Sequence, residues 1–131
     1  MIEYRHNHPL DPHDVARVFD ASGIVRPTGD LARIGRMLSN ADLIISAWDE
    51  GRLVAVCRAL TDFSYFCYLS DLAVDRAYQK HGIGRELIRQ VQAAIGEETM
   101  LLLLSVPGAM SYYPKVGFAA ADNAFIIPRR R

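Results

Sequence analysis

The sequence is poor in cysteine, which excludes several kinds of protein at once. Its 131 residues include only Cys57 and Cys67, and their spacing matches no metal-binding motif, so we expect no metal. A disulfide-stapled secreted scaffold would need more cysteines than two. Both residues lie in apolar, strand-like stretches and are interpreted as reduced thiols in the core, although a disulfide between neighbouring strands is left open.

The chain also lacks net charge and long apolar runs. Its 15 Lys and Arg residues are balanced by 15 Asp and Glu residues, which argues against nucleic acid as a partner. The longest apolar run, residues 100–104, is too short to span a bilayer, and residues 1–6 have no apolar signal-peptide core. We therefore expect a cytoplasmic protein that binds neither nucleic acid nor membrane.

What the sequence does contain is the composition of a folded domain. Hydrophobic residues make up 50% of the chain and charged residues 23%, which excludes a disordered polymer. A chain of 131 residues is long enough for one hydrophobic core and short for two. The prediction is a single domain over residues 1–131.

The first half of the chain predicts one strand, two helices and then three strands. After a strand at residues 2–5, Asp11 and Pro12 are typical of a helix start, and Gly23 is typical of its end. Apolar residues recur at helical spacing from Leu31 to Leu38. The period then changes to that of strands. These are predicted at residues 43–48, 53–57 and 66–74.

The second half predicts alternating helices and strands. Residues 84–95 form an amphipathic helix, ended by Gly96. A buried strand at 100–106, a short helix at 107–115 and a last strand at 118–127 follow. The order β-α-α-β-β-β-α-β-α-β predicts an α/β (mixed α+β) fold with a mixed sheet. It is not the order of a doubly wound dinucleotide-binding fold.

Residues 79–85, here called the glycine turn, carry the clearest chemical signal. Gly82 and Gly84 lie where the helix begins, so backbone N–H groups that have no partner inside the helix are open to an anion. Gln79, Lys80 and Arg85 add donors and positive charge. The arrangement suits a pyrophosphate, and the absence of a Lys-Ser/Thr pair after the glycines disfavours a nucleotide P-loop. On spacing alone, an ordinary strand-to-helix turn is left open.

Two motifs together resemble the GNAT superfamily of N-acetyltransferases. Gln79-x-x-Gly82-x-Gly84, after a strand that ends at Val74, resembles that family's acetyl-CoA signature, Gln/Arg-x-x-Gly-x-Gly/Ala. Residues 109–118 resemble its Ala-x-x-φ-Tyr-x-Lys-x-Gly-Phe segment, with Tyr113 at the Tyr position. The detailed match spans residues 69–118, and the element order fits over residues 2–127.

The resemblance implies a fold and an activity. The fold would be a mostly antiparallel, six-to-seven-stranded mixed sheet flanked by about four helices. The activity would be transfer of an acetyl group from acetyl-CoA to a primary amine of a small molecule or peptide, by direct attack. The alternative is a non-catalytic acyl-CoA-binding sensor or scaffold. A homodimer is compatible with either.

The resemblance also implies where acetyl-CoA binds. Pantetheine would pair with the exposed backbone of the strand that ends at Val74, and a bulge there would aim the N–H of Leu72 or Ala73 at the thioester oxygen. The glycine turn would hold the pyrophosphate. Ser105 stands where the family often has Asn. The implied binding residues are Leu72, Ala73, Val74, Gln79, Lys80, His81, Gly82, Ile83, Gly84, Arg85, Ser105 and Tyr113.

Three implied roles concern the chemistry. Tyr113 matches the position that protonates the departing thiolate, although Pro114 is unusual there and disfavours helical geometry at Tyr113. Asp71 is a candidate base for the amine, directly or through water, and otherwise an ion-paired strand carboxylate. The acceptor pocket would involve residues 25–30 and 62–65 and the area around Phe125. There Asp30 and Asp62 would attract a cationic amine or serve as a helix-start acid and a turn acid.

Overall fold

The structure, a computed structural model, describes all 131 residues. They fold around one sheet with helices on both of its faces. The structure contains five strands and three α-helices, joined by 3-10 turns. In chain order these are β1 (Ile2–His6), α1 (Pro12–Ser22), α2 (Leu31–Ser39), β2 (Leu43–Asp49), β3 (Arg52–Thr61), β4 (Phe66–Val74), α3 (Ile83–Ile95) and β5 (Met100–Leu102).

The sheet has the strand order β1-β2-β3-β4-β5. The first four strands pair antiparallel, and β5 pairs parallel to β4 after the crossover through α3. This confirms the predicted mixed, mostly antiparallel sheet. The predicted count of six to seven strands and about four helices was too high.

Helices α1 and α2 cover one face of the sheet. The Asp11 carboxylate caps α1 by accepting the His13 backbone N–H at 2.9 Å, and Gly23 ends it in a left-handed conformation with φ 88°. Such caps satisfy backbone groups that the helix leaves without partners. Val15, Val18 and Phe19 are then buried against the sheet. The caps thus fix where α1 ends and where the following segment, residues 22–26, begins. This segment lies at the edge of the cleft described below.

Helix α3 covers the opposite face. Its apolar side chains Leu87, Ile88 and Val91 are buried in the larger core cluster, together with alternate residues of β2, β3 and β4. The predicted amphipathic helix is confirmed within one residue at its start. None of the three helices combines the length and the apolar character that crossing a bilayer demands.

The C-terminal third differs from the sequence-based prediction. The strand predicted as buried at 100–106 is reduced to Met100–Leu102, and Met100 is 57% exposed because β5 is an edge strand. The helix predicted at 107–115 is replaced by two 3-10 turns, Pro107–Ala109 and Tyr113–Val116. Each contains a proline, which has no N–H and disfavours α-helical geometry in the residue before it. The strand predicted at 118–127 does not form, and its apolar side chains are left exposed around Phe125.

Both cysteines are free and buried, which confirms the interpretation as core thiols and contradicts a disulfide. Burial raises the pKa of the Cys57 thiol to about 12 and also raises that of Cys67. Since only the thiolate is nucleophilic, we expect neither thiol of the native protein to react with iodoacetamide at pH 8. Mass spectrometry should find two alkylated residues after denaturation. Rapid stoichiometric labelling of the native protein would contradict this placement.

Candidate active site

A cleft opens between β4 and β5 because the two strands pair only briefly. Their pairing runs from Phe66 opposite Met100 to Tyr68 opposite Leu102 and then stops. Beyond that point the strands diverge around a cavity of about 450 Å³, lined by Leu72 and Leu103 among others. We call this cavity the β4–β5 cleft. Its walls are mostly apolar, which suits a long aliphatic ligand segment.

The unpaired edge of β4 supplies backbone groups to the cleft. Asp75 donates its N–H to the Val54 carbonyl at 2.9 Å across the β3–β4 pair. Because hydrogen-bonded residues alternate along an antiparallel ladder, the amides of Leu72 and Val74 face the cleft and that of Ala73 faces β3. The Val74 carbonyl accepts the Gln79 side-chain N–H at 2.9 Å.

A β-bulge lies in β4 just before these residues. Arg58 stands opposite Asp71, whereas Ala59 stands opposite Leu69, so Ser70 is the extra residue. A bulge bends its strand and increases the local twist. It therefore lies at Ser70, two to three residues before Leu72 and Ala73, the positions named in the sequence-based expectation. Of those positions, Leu72 is the one whose N–H faces the cleft.

The glycine turn forms the second wall of the cleft. Lys80 and Gly82 both have left-handed backbone conformations, with φ 69° and φ 80°. Helix α3 begins directly after Gly82 without a side-chain cap, and its first hydrogen bond runs from the Glu86 N–H to the Gly82 carbonyl at 3.0 Å. The N–H groups of residues 83–85 consequently have no partner within the helix. With the helix dipole, they form a site suited to an anion.

Tyr112 packs directly on the glycine turn. A Cβ atom added to Gly84 would lie 2.8 Å from the Tyr112 hydroxyl, so a larger residue there would displace the Tyr112 side chain. The Arg85 side chain reaches the same segment and donates to the Lys115 carbonyl at 3.3 Å. These contacts join the start of α3 to the 3-10 turn that contains Tyr113.

Tyr113 lines the cleft from the side of that 3-10 turn. Its ring packs edge-on against Tyr112 and Phe118, with ring centroids 5.3 and 5.6 Å apart. Burial raises the pKa of the Tyr113 hydroxyl above its ordinary 10.0; Tyr112 acts in the same direction and the positive charge of Arg26 opposes both. The hydroxyl is therefore protonated at neutral pH and can donate a proton.

Asp71 is buried between two arginines, and the three side chains form what we call the arginine cluster. The carboxylate has no exposed surface. Its Oδ1 accepts from Arg26 Nε at 2.6 Å and its Oδ2 accepts from Arg58 Nε at 2.5 Å. Arg26 and Arg58 also bind Ser70, at its carbonyl and its hydroxyl. The cluster thereby braces the bulge, and an ion-paired carboxylate of this kind is poorly suited to accept a proton from an amine.

We expect Asp71→Asn to destabilise the protein strongly. An Asn side chain has one acceptor oxygen, so its NH₂ group would face one of the two guanidinium groups. Breaking such a buried ion pair from one side costs about 3–5 kcal/mol of unfolding free energy, measurable by urea denaturation. The control is Asp20→Asn, at an exposed acid that binds Thr28, for which we expect less than about 1 kcal/mol. Equal stability of the two variants would contradict a bracing role for the cluster.

The structure brings most of the predicted site residues to one cleft. Leu72, Val74, Gln79, Lys80, Gly82, Ile83, Gly84, Arg85 and Tyr113 line it. Four other predicted residues do not: Asp71, Ala73, His81 and Ser105. Ala73 is buried in the core, and the Ser105 hydroxyl is bonded to the Val106 carbonyl at 2.7 Å.

Two further residues line the cleft. Arg26 lies in the segment 25–30 that the resemblance assigns to the acceptor pocket, where it had no individual role, and Tyr112 occupies the apolar or aromatic position of the motif beside Tyr113. Asp30 and Asp62, considered there for a cationic acceptor, serve instead as caps. Asp30 accepts the Arg33 N–H at the start of α2, and Asp62 accepts three N–H groups in the turn before β4.

Residues 40–120 match the family model described as the acetyltransferase (GNAT) domain. This match covers more than half of the chain, including β4, the glycine turn and the Tyr113 segment. The chain belongs to the GNAT acetyltransferase family. The sequence resemblance stated from residues 69–118 is thereby confirmed.

Individual relatives agree with this family. An uncharacterized N-acetyltransferase, ycf52, from Pyropia yezoensis is 25% identical over 118 residues, which cover 86% of this chain and 67% of the relative. A GNAT-family acetyltransferase from Streptococcus pneumoniae has the same fold, with a TM-score of 0.82, 22% identity and full coverage of both chains. An aminoglycoside N-acetyltransferase in complex with CoA is similar in fold, with a TM-score of 0.73, 15% identity and coverage of 100% and 96%.

Proposed function

We propose that this acetyltransferase uses acetyl-CoA and transfers its acetyl group to a primary amine by direct attack. The observation that carries the proposal is the β4–β5 cleft, which joins a free strand edge at Leu72 and Val74 to the glycine turn at one end. A strand edge and an anion site in one apolar cleft match the two parts of a CoA molecule, an extended amide-containing arm and a pyrophosphate.

The residues present fit such a ligand on structural grounds. A Cβ atom at Gly82 would meet nothing within 4 Å, so the turn is open to a ligand, and α3 offers uncapped N–H groups there. A structural neighbour in complex with CoA is consistent with this use of the fold. Acetyl-CoA supplies the activated acetyl group. Leu72 and Val74 would bind the arm, and the glycine turn would bind the pyrophosphate.

Two groups of this chain would act on the reacting atoms. The Leu72 N–H faces the cleft and would donate to the thioester oxygen, where negative charge develops; one such donor contributes about 2.7–4 kcal/mol. The Tyr113 hydroxyl would donate its proton to the departing thiolate. The C–N bond forms as the C–S bond breaks. The proton lost by the amine passes to water, and the Tyr113 phenolate regains a proton from water.

Asp71 has a different role in this proposal. Both of its oxygens are bound by arginines, so we assign it to positioning β4 rather than to proton abstraction. The amine would then enter as its neutral form or lose its proton to solvent.

The experiment that tests the function combines binding and turnover. Calorimetry with acetyl-CoA should show binding at one site per chain, and thiol release with a panel of amines should show turnover that depends on the amine. Binding without turnover on any amine would favour the alternative of a non-catalytic acyl-CoA-binding module. Absence of binding would contradict both.

A further inference from the structure

The charges that line the β4–β5 cleft are all positive. Its lining includes Arg26, Lys80 and Arg85 and no Asp or Glu. Lys80 and Arg85 belong to the glycine turn and are accounted for by a pyrophosphate. Arg26 lies apart from that turn in sequence and is bonded to β4 at Ser70 and Asp71, beside the end of α1. One positive charge of the cleft is therefore not explained by CoA.

Arg26 retains free hydrogen-bond donors. Its guanidinium has five N–H groups. One donates to Asp71 at 2.6 Å, one to the Val25 carbonyl at 2.7 Å and one to the Ser70 carbonyl at 2.8 Å, which leaves two. Its side chain is 23% exposed, so these contacts hold it in place without closing it off from the cleft.

The charge of Arg26 is not cancelled by its partner. Asp71 is shared between Arg26 and Arg58, so the arginine cluster holds two positive charges and one negative charge. In a partly buried site, the remaining positive charge attracts an anion more strongly than it would in water. It repels a second ammonium group, and neither Asp30 nor Asp62 lines the cleft to compensate.

We propose that the acceptor is an amine that also carries a carboxylate, an amino acid in the broad sense, and that Arg26 binds this carboxylate. The inference rests on the proposed acetyl transfer and names its substrate class. An arginine fork that is held rigidly by three hydrogen bonds pairs well with a planar carboxylate, because little side-chain freedom is lost on binding. Polycationic amines are predicted to be poor acceptors.

The test compares acceptors that differ only in the charged group. Linear ω-amino acids, the amino alcohols of the same length, the matching aminoalkyl phosphates and a polyamine are each incubated with acetyl-CoA and the full chain. We expect kcat/KM for the amino acids to exceed that for the alcohols by about tenfold to a hundredfold, the effect of a charge-assisted hydrogen-bond pair. We expect the polyamine to rank last.

Variants of Arg26 then locate the effect. In Arg26→Gln the ratio between amino acid and amino alcohol should fall to about one, mainly through KM. Arg26→Lys keeps the positive charge but loses the two-pronged guanidinium donor, so it should keep part of the ratio. This variant provides the test if Arg26→Gln does not fold. Arg36→Gln, at an exposed arginine of α2 outside the cleft, should leave the wild-type ratio unchanged.

The outcomes separate the inference from the function on which it rests. Turnover that favours alcohols, polyamines or phosphates over carboxylates would overturn the inference and leave acetyl transfer intact. A carboxylate preference that persists in Arg26→Gln would overturn the role of Arg26. Binding of acetyl-CoA with no turnover on any acceptor would instead overturn the proposed function itself.

Discussion

Gly82→Asp reduces the affinity for acetyl-CoA by more than about a hundredfold. The new carboxylate would lie beside the uncapped N–H groups of residues 83–85, where it competes for the donors and repels a pyrophosphate. Losing two hydrogen bonds to a charged group costs about 3–6 kcal/mol, and each 1.4 kcal/mol is a factor of about ten. Isothermal titration calorimetry with acetyl-CoA measures the effect.

The matched control is Gly96→Asp. Gly96 also has φ 80°, and a Cβ atom at either glycine would meet nothing within 4 Å. Its ψ of 178° lies outside the left-handed region that Gly82 occupies with ψ 7°, so Gly96→Asp introduces the same charge with at least as much backbone strain. Gly96 ends α3 and does not line the cleft. We expect the loss of thermal stability in Gly96→Asp to be at least as large as that in Gly82→Asp, and a loss of affinity only at Gly82. Undiminished affinity in Gly82→Asp would contradict the placement of the pyrophosphate.

Tyr113→Phe lowers kcat by about a hundredfold or more and leaves the KM for acetyl-CoA nearly unchanged. The substitution removes the only proposed proton donor for the thiolate and retains the ring that packs on Tyr112 and Phe118. General acid catalysis contributes about 10²–10⁴ in rate. Steady-state kinetics of thiol release with saturating amine measures the effect once chemistry is rate-limiting.

The pH dependence gives an independent check on Tyr113. Burial raises the pKa of this hydroxyl above its ordinary 10.0, so the active, protonated form is retained below pH 10 and lost only at higher pH. Wild-type kcat should therefore show no decline from this group below about pH 10. Tyr112→Phe removes a phenol one residue away and should change kcat far less. Equal kcat in Tyr113→Phe and wild type would refute the acid role.

The parts of the candidate site that the sequence alone brings together are those built from contiguous residues. Helix-start chemistry is local, so Gly82, Gly84 and their charged neighbours could be recognised without knowing any tertiary contact. The apolar run that predicts β4 can likewise be recognised from neighbouring residues alone. The glycine turn and β4 together predict one wall of the cleft and the candidate anion site without knowledge of the fold.

The arginine cluster could not be predicted in that way. Arg26 and Asp71 are 45 positions apart, and Arg58 and Asp71 are 13 apart. They meet only because the α1–α2 connection crosses β4 at the bulge, and the bulge itself depends on the register between β3 and β4. The sequence alone consequently left Asp71 open between a candidate base and an ion-paired strand carboxylate.

The C-terminal prediction failed for a related reason. Residues 118–127 have the apolar pattern of a strand, but a strand needs a partner edge, and β5 offers only three residues. Pro107 and Pro114 likewise replaced a predicted helix with two 3-10 turns, which changes how Tyr113 is presented to the cleft. Local pattern predicts the type of an element better than it predicts whether a partner exists.

The central claim is that this chain acetylates amines from acetyl-CoA in the β4–β5 cleft. The most direct measurement is mass spectrometry of the amine after incubation with acetyl-CoA, with parallel quantification of released CoA. We expect an N-acetylated amino acid formed in equal amount to CoA, and its loss in Gly82→Asp. CoA release without acetylated amine, or equal product formation by Gly82→Asp, would contradict it.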